Sequence, residues 1–491
     1  MNLEIMTTTI PELEPRALWR HFYNLTQIPR PSGHEQQIRE YVADFGRRLG
    51  LKSLIDEAGN VIIRKPAKKG MEQRKGVILQ AHLDMVPQKN ADSHHDFERD
   101  PIEAYFEKGW VRARGTTLGA DNGIGVAAAL AVLESESLSH GPLEALFTAN
   151  EEAGMTGAMG LKPEVLEGEI LLNLDSEDEG ELFIGCAGGL DGTMTFRYSE
   201  ASLPPDYAGF EIRVSGLKGG HSGLDIHLGR GNANKIMNRL LQAGHDCCSL
   251  RLASIDGGSL RNAIPRESTS LVTLPSDRAE LFVETLKRLG ATIAEELAAV
   301  DPDLRIEIRA AEIPDTVIDN ESFGRLLQAV ADCPNGVVRM SGEMDGVVET
   351  SNNLARVKSN AGSIAVECLL RSSVDSSLEE LATSIQSVAD RVGATSSFTG
   401  GYPGWKPDPD SPILSLMQRI YQQRFGKAPE VKAIHAGLEC GIIGGIYPGL
   451  DMISFGPTIR FPHSPDEKVE CASVQKFWDF LVDVLADIPA K

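Results

Sequence analysis

The stretch GVILQAHLDMV, residues 76–86, decides the fold. It opens as an apolar run, the mark of a strand buried on both faces, and turns polar at His82 and Asp84. Two further stretches follow the same pattern. LEALFTANEE (143–152) closes on Glu151 and Glu152, and EILLNLDSEDEG (169–180) closes on Asp175. Core strands without a function usually end in Gly, Asn or Ser turns. Three strands that stop in His or acid instead point to an open α/β sheet, where sites form outside the carboxyl ends of strands.

Outward from these strands, residues 35–50 have helical periodicity with a stop at Gly50, and GNVIIRK reads as a short strand. An Ala-rich helix is expected over 122–135. Near residue 190 the texture changes to an α+β alternation. Strands are expected at YAGFEIRVSGL, near 265–274 and at 363–371, with helices at 232–244, 277–299, 322–331 and 378–393. TGGYPGWKPDPDSP (399–412) reads as a linker. Beyond it a helix (413–425) and the strand-like DMISFG resume the first domain. The expected fold is therefore α/β: a catalytic domain with a mixed sheet flanked by helices, interrupted by an inserted α+β lid domain. Its segments are 1–189 (catalytic), 190–398 (lid) and 399–491 (catalytic).

At 491 residues the chain is too long for one core. Its composition, 42% hydrophobic and 24% charged, is that of a globular protein. No apolar run approaches the roughly 20 residues of a membrane helix. The N-terminus has neither a basic nor a long apolar region, so no secretion signal and a cytoplasmic location are expected. A formal net charge of −22 argues against nucleic acid as a partner. The seven cysteines are scattered and outside any CxxC frame, against a disulfide scaffold or a Cys-ligated zinc.

Each candidate site residue has an ordinary explanation beside the functional one. His82 and Asp84 are two apart on a strand and share a face, so Asp84 can take the second ring N–H of a ligating His82. A lone HxD is also a common surface pair. Asp121, in GTTLGADNGIG, sits at a Gly-rich bend where a helix N-cap is the simpler role. Glu151 and Glu152 are neighbours whose side chains diverge on a strand, which suits one carboxylate on metal and one free as a general base. Asp175 closes its strand, and Glu177, Asp178 and Glu179 read as a solvated acidic loop. His463 lies in a proline-flanked turn. Together these residues form a His, Asp, Glu, Asp, His series at strand ends. Such donors suit zinc, manganese or cobalt, and five fit two ions sharing one carboxylate.

The segments HLDMV, GADNGIG, NEEAG, NLDSE and PHSPDE resemble the co-catalytic metallopeptidases, a family that includes carnosinases and tripeptidases. QAHLDMVPQK, GCAGG, LKGGHSG, GGSLRNAIPRE, VVETSNN, IHAGLECG and SFGPTIRFPHSPDE are similar to its bacterial dipeptidases, over a span from about Trp19 to the C-terminus. The resemblance implies two divalent metal ions, zinc before manganese or cobalt. Asp121 would bridge them, His82 and Asp175 would complete one site, and Glu152 and His463 the other. It implies Glu151 as general base and Asp84 as support for His82. From the lid, His221 would stabilise the oxyanion. Asn262 and Arg371 would hold the substrate's terminal carboxylate, and Gly437 would line the pocket. The implied activity is hydrolysis of dipeptides with a free C-terminal carboxylate, Xaa-His such as β-alanyl-histidine among them, by a homodimer. A related tripeptidase or N-acyl amino acid deacylase is the alternative.

Overall fold

The computed structural model describes residues 9–491, which divide into two compact units. The first holds the chain to Gly185, Pro407–Ala433 and Leu438–Lys491; the second holds Cys186–Lys406 and Ile434–Gly437.

The first unit is built on an eight-stranded mixed sheet. Its strand order is Lys52–Ile55, Val61–Lys65, Leu143–Thr148, Val77–His82, Ile170–Asn173, Asp451–Ser454, Glu181–Cys186 and Glu430–Ile434. The four central strands, Leu143–Thr148 to Asp451–Ser454, run parallel; Lys52–Ile55 with Val61–Lys65, Val61–Lys65 with Leu143–Thr148, and Asp451–Ser454 with Glu181–Cys186 pair antiparallel. Every residue of Val77–His82, Leu143–Thr148 and Ile170–Asn173 is buried, as expected for strands covered on both faces. The helix Ala120–Glu134 is apolar all round and correspondingly buried. His82, the Glu151–Glu152 pair and Asp175 all follow the carboxyl ends of parallel strands, the edge at which open α/β sheets form sites.

The second unit carries a nine-stranded antiparallel sheet. Its main path runs Arg305–Ala311, Tyr207–Ser215, Ser268–Pro275, Arg251–Gly257, Val348–Asn360, Ser363–Ser372, Gly188–Arg197 and Thr395–Tyr402; Gly336–Met340 pairs alongside Val348–Asn360. Helices Ala233–Cys248, Ala279–Leu297, Asn320–Asp332 and Asp375–Arg391 contribute to its core. Asn320–Asp332 buries Phe323, Leu326, Leu327 and Val330, the i, i+3, i+4, i+7 stripe of an amphipathic helix. One reading is corrected here. Residues 399–402 are not linker but the end of the strand Thr395–Tyr402. The Gly400–Gly401 pair disfavours an extended strand on its own, yet ladder bonds to Gly188–Arg197 hold it, with a register shift between Thr399 and Tyr402 absorbing the irregularity.

Candidate active site

At the end of the strand Val77–His82, His82 is 1% exposed. Its Nε2 lies 3.0 Å from Asp121 Oδ1 and 3.4 Å from Asp175 Oδ1. Its Nδ1 faces Asp84, 3.4 Å from Oδ1 and 3.1 Å from the backbone oxygen. Burial opposes a charge on the imidazole, but Asp175, Asp121 and Asp84 hold its pKa well above the ordinary histidine value. Asp84 is itself anchored. Ser32 Oγ donates to Oδ2 at 2.8 Å, and the Glu151 and Glu152 amides donate to the two oxygens at 2.9 and 3.2 Å. One buried carboxylate thus orients His82 and fixes the backbone that carries the two glutamates.

Asp121 stands in the first turn of Ala120–Glu134 without helical backbone angles, at φ −82° and ψ 110°, and its peptide bond to Asn122 is cis. This is not an N-cap: the cap position is Gly119, in the left-handed region at φ 72°. Any side chain at 119 would also meet Arg30, whose Nη2 lies 2.5 Å from where a Cβ would stand. So placed, Asp121 offers Oδ1 to His82 and Oδ2 to His463 Nε2 at 3.3 Å. His463 also approaches Glu152 Oε1 at 3.0 Å, and these two carboxylates push its pKa up to about 11. His463 has a left-handed φ of 58°, rare for a residue with a side chain.

Three groups of donor atoms, each within 4.8 Å of one another, emerge: His82–Asp121–Asp175, Asp121–Glu152–His463 and His82–Glu151–Glu152. The first two share Asp121. The third shows that Glu151 and Glu152 converge rather than diverge. They lie in a turn beyond Thr148, where the alternation of a strand no longer applies. Burial, with Asp175, Glu439 and Glu152, drives the Glu151 pKa well above the carboxylate range against the pull of His82, which favours proton uptake. The donor set fits divalent ions chemically, being imidazole and carboxylate throughout. Asp175 Oδ1 is also buried and, apart from the 3.4 Å approach of His82, has no hydrogen-bond partner among the described residues, as a ligand atom would.

The acidic loop is the other correction. Asp178 pairs with Arg460 at 2.7 Å, and Glu179 meets Tyr421 and Lys476. Burial, together with Asp121 and Asp175, raises Glu177 to about 8. Glu177 and Glu179 are thus largely buried rather than solvated, and Asp178, though half exposed, is ion-paired.

In the second unit, His221 pairs with Ala263 in a short bridge. Its Nδ1 accepts the amides of Gly223 at 3.2 Å and Leu224 at 3.1 Å, so its proton belongs on Nε2. Burial and Arg371 lower its pKa, keeping it neutral. Asn262 is exposed, and its carbonyl accepts the Ser222 amide at 2.8 Å. Ser222 Oγ in turn accepts Arg371 Nε at 3.3 Å. Arg371 is 5% exposed, and no ion pair is found for it among the described residues. At Gly437 a Cβ would press against the Tyr402 ring, 3.0 Å from its hydroxyl. His221, Ser222, Asn262 and Arg371 are therefore joined through Ser222, and Gly437 through Tyr402.

Several residues escaped the sequence reading. Glu467, fully buried, accepts four consecutive amides: Leu118 at 2.7 Å and Gly119 at 2.9 Å on one oxygen, Ala120 at 2.7 Å and Asp121 at 3.2 Å on the other. Arg30 donates to the carbonyls of Leu83 at 2.9 Å, Asp84 at 3.0 Å and Gly119 at 2.5 Å. Behind His82, Gln80 and Thr148 donate to buried Glu439 at 2.7 and 2.6 Å. The sole sequence signal for Glu467 was its place in PHSPDE, four residues after His463.

The family model for peptidase family M20/M25/M40 matches residues 78–487. The chain belongs to that family. It is a peptide hydrolase of a metallopeptidase family, and the paired donor groups are its metal-binding candidates. It is 45% identical to the cytosol non-specific dipeptidase of Escherichia coli over 485 residues, 98% of this chain and 99% of that one. The crystal structure of aminoacylhistidine dipeptidase from Vibrio alginolyticus matches with a TM-score of 0.94 at 48% identity, covering 99% of each chain. An aminopeptidase from Bacillus cereus shares the fold at 15% identity, with a TM-score of 0.55 over 97% of this chain and 99% of that one. No helix among the described residues is long and apolar enough to cross a membrane.

Proposed function

We propose that this protein is a two-metal dipeptidase acting on dipeptides with a free C-terminal carboxylate, aminoacyl-histidine such as β-alanyl-histidine among them. The observation that carries the reading is Asp121, whose two oxygens each face a different histidine within a separate donor group. His82 and Asp175 would hold one ion, Glu152 and His463 the other, with Asp121 between them. The names of the Escherichia coli and Vibrio alginolyticus relatives support a dipeptide substrate. A buried Arg371 without an acid partner among the described residues supports a carboxylate-bearing one.

When bound, divalent ions supply Lewis-acid polarisation and an acidified water. Glu151 takes the proton of the attacking water and returns it to the leaving amine. Asp84 keeps His82 in one orientation throughout. His221 offers its neutral Nε2–H to the oxygen that gains charge. Arg371 receives the terminal carboxylate, with Asn262 beside it and the side-chain-free Gly437 leaving the pocket open. Zinc is the expected ion, with manganese or cobalt as substitutes, and the cytosol is the expected compartment.

Metal-stripped protein restored with zinc, manganese or cobalt tests the reading against dipeptides, tripeptides and N-acetyl amino acids. Two ions per chain and a preference for dipeptides are expected. A single ion at full activity would remove the shared-carboxylate centre; faster cleavage of N-acetyl amino acids would make the protein a deacylase.

A further inference from the structure

Arg371, Gly189 and Tyr402 stand side by side on three neighbouring strands. Gly189 is directly opposite Arg371 in the pairing of Gly188–Arg197 with Ser363–Ser372, and opposite Tyr402 in the pairing with Thr395–Tyr402. Arginine and tyrosine are thus two strand spacings apart, about 10 Å of backbone. They meet because position 189 has no side chain. A Cβ there would fall 2.7 Å from the ring and hydroxyl atoms of Tyr402, so the ring leans over the glycine toward Arg371. Gly437 is close to the hydroxyl as well: a Cβ there would lie 3.0 Å from it. The GCAGG and IHAGLECG motifs each contribute a glycine to this slot.

The tyrosine hydroxyl accepts Arg371 Nη1 at 3.4 Å. A guanidinium can only donate, so the hydroxyl's own proton remains to be placed, and no acceptor for it is found among the described residues. Burial raises the Tyr402 pKa, so that proton is retained at neutral pH. The one anion expected beside Arg371 is the carboxylate of a substrate.

We propose that Tyr402 is a specificity-determining residue whose hydroxyl takes a hydrogen bond from Arg371 and gives its proton to the same terminal carboxylate. This rests on the reading of Arg371 given above. A wedge that merely fills the slot would need the ring but not the oxygen, and Tyr402→Phe separates the two.

The experiment compares wild type, Tyr402→Phe and Arg371→Ala on a dipeptide and its C-terminal amide. Where the wild type does not turn over the amide, acid and amide are compared as competitive inhibitors. Tyr402→Phe is expected to raise KM for the acid about 10-fold, in line with one hydrogen bond to a charged group. It should leave kcat and all amide constants within twofold. An unchanged acid KM would overturn the proposal while leaving Arg371 in place, provided Arg371→Ala still loses the acid. Equal damage to acid and amide would also overturn it, marking a packing role. If Arg371→Ala handles acid and amide as wild type does, the carboxylate reading itself fails.

Discussion

Glu151 and Glu152 are adjacent, yet their surroundings differ. Glu152 has His463 within 3.0 Å, whereas Glu151 has no hydrogen-bonded cation among the described residues and is pushed further toward protonation by burial and by acids. A carboxylate without a fixed cation is free to carry a proton, which is what a general base does. Glu151→Gln should therefore keep its metal content and lose turnover by a factor of roughly 10² to 10⁴. Elemental analysis alongside kcat checks this, and full activity in the variant would take Glu151 out of the role. The pair's position was legible because an apolar run ending in acid is a local signal. Its geometry was not, because the chain leaves the strand at Thr148 and Asn150 takes a left-handed φ of 54°. Tyr402 was hidden differently. Its neighbours Gly400, Gly401 and Pro403 look like a turn, and only pairing with a strand some 200 residues earlier makes them an edge strand.

At the level of elements, the site is an alignment of strand ends and one bent helix start, and Glu467 sets that bend. It turns four consecutive amides toward one carboxylate, an anion held at a helix N-terminus. Asp121, the last of the four, is held by its backbone while its side chain stays free for the two histidines. Four segments of the site are joined in this way: 82–84 through Arg30, 118–121 through both Arg30 and Glu467, 151–152 through Asp84, and 463–467 through Glu467 itself. Such a clamp spans 346 to 349 residues of sequence, which is why no local pattern announced it. Glu467→Gln replaces one acceptor oxygen by a donor and leaves buried amides unpaired. Thermal unfolding of the metal-free variant should show a loss of about 2–4 kcal/mol, from the cost of orphaned buried donors. Metal affinity should fall roughly 10- to 100-fold, the usual effect of losing a group that orients a ligand. A variant destabilised to that extent but binding metal normally would make Glu467 a fold residue only.

For the whole molecule, the division of labour is uneven. All five candidate ligands, Glu151 and Asp84 belong to the first unit, while His221, Asn262, Arg371 and Gly437 belong to the second. The chain passes between units at 185/186, 406/407, 433/434 and 437/438, so the second unit is an insertion with one short later return. The insertion was visible as a change of texture near 190; the four-residue return, which carries Gly437, leaves no mark in composition. Metal binding should then stabilise the two units differently. Free metal at 100 times its dissociation constant adds about 2.7 kcal/mol to whatever unfolds with the site, roughly a 100-fold change in amide protection. Hydrogen exchange with and without zinc should place that gain in 77–86, 118–125, 170–176 and 459–467. Strands 207–215, 268–275 and 363–372 each belong to a sheet with its own core and should exchange as before. An equal gain in both units would mean that they unfold as one body, and the candidate metal centre would then stabilise the nine-stranded sheet as strongly as its own.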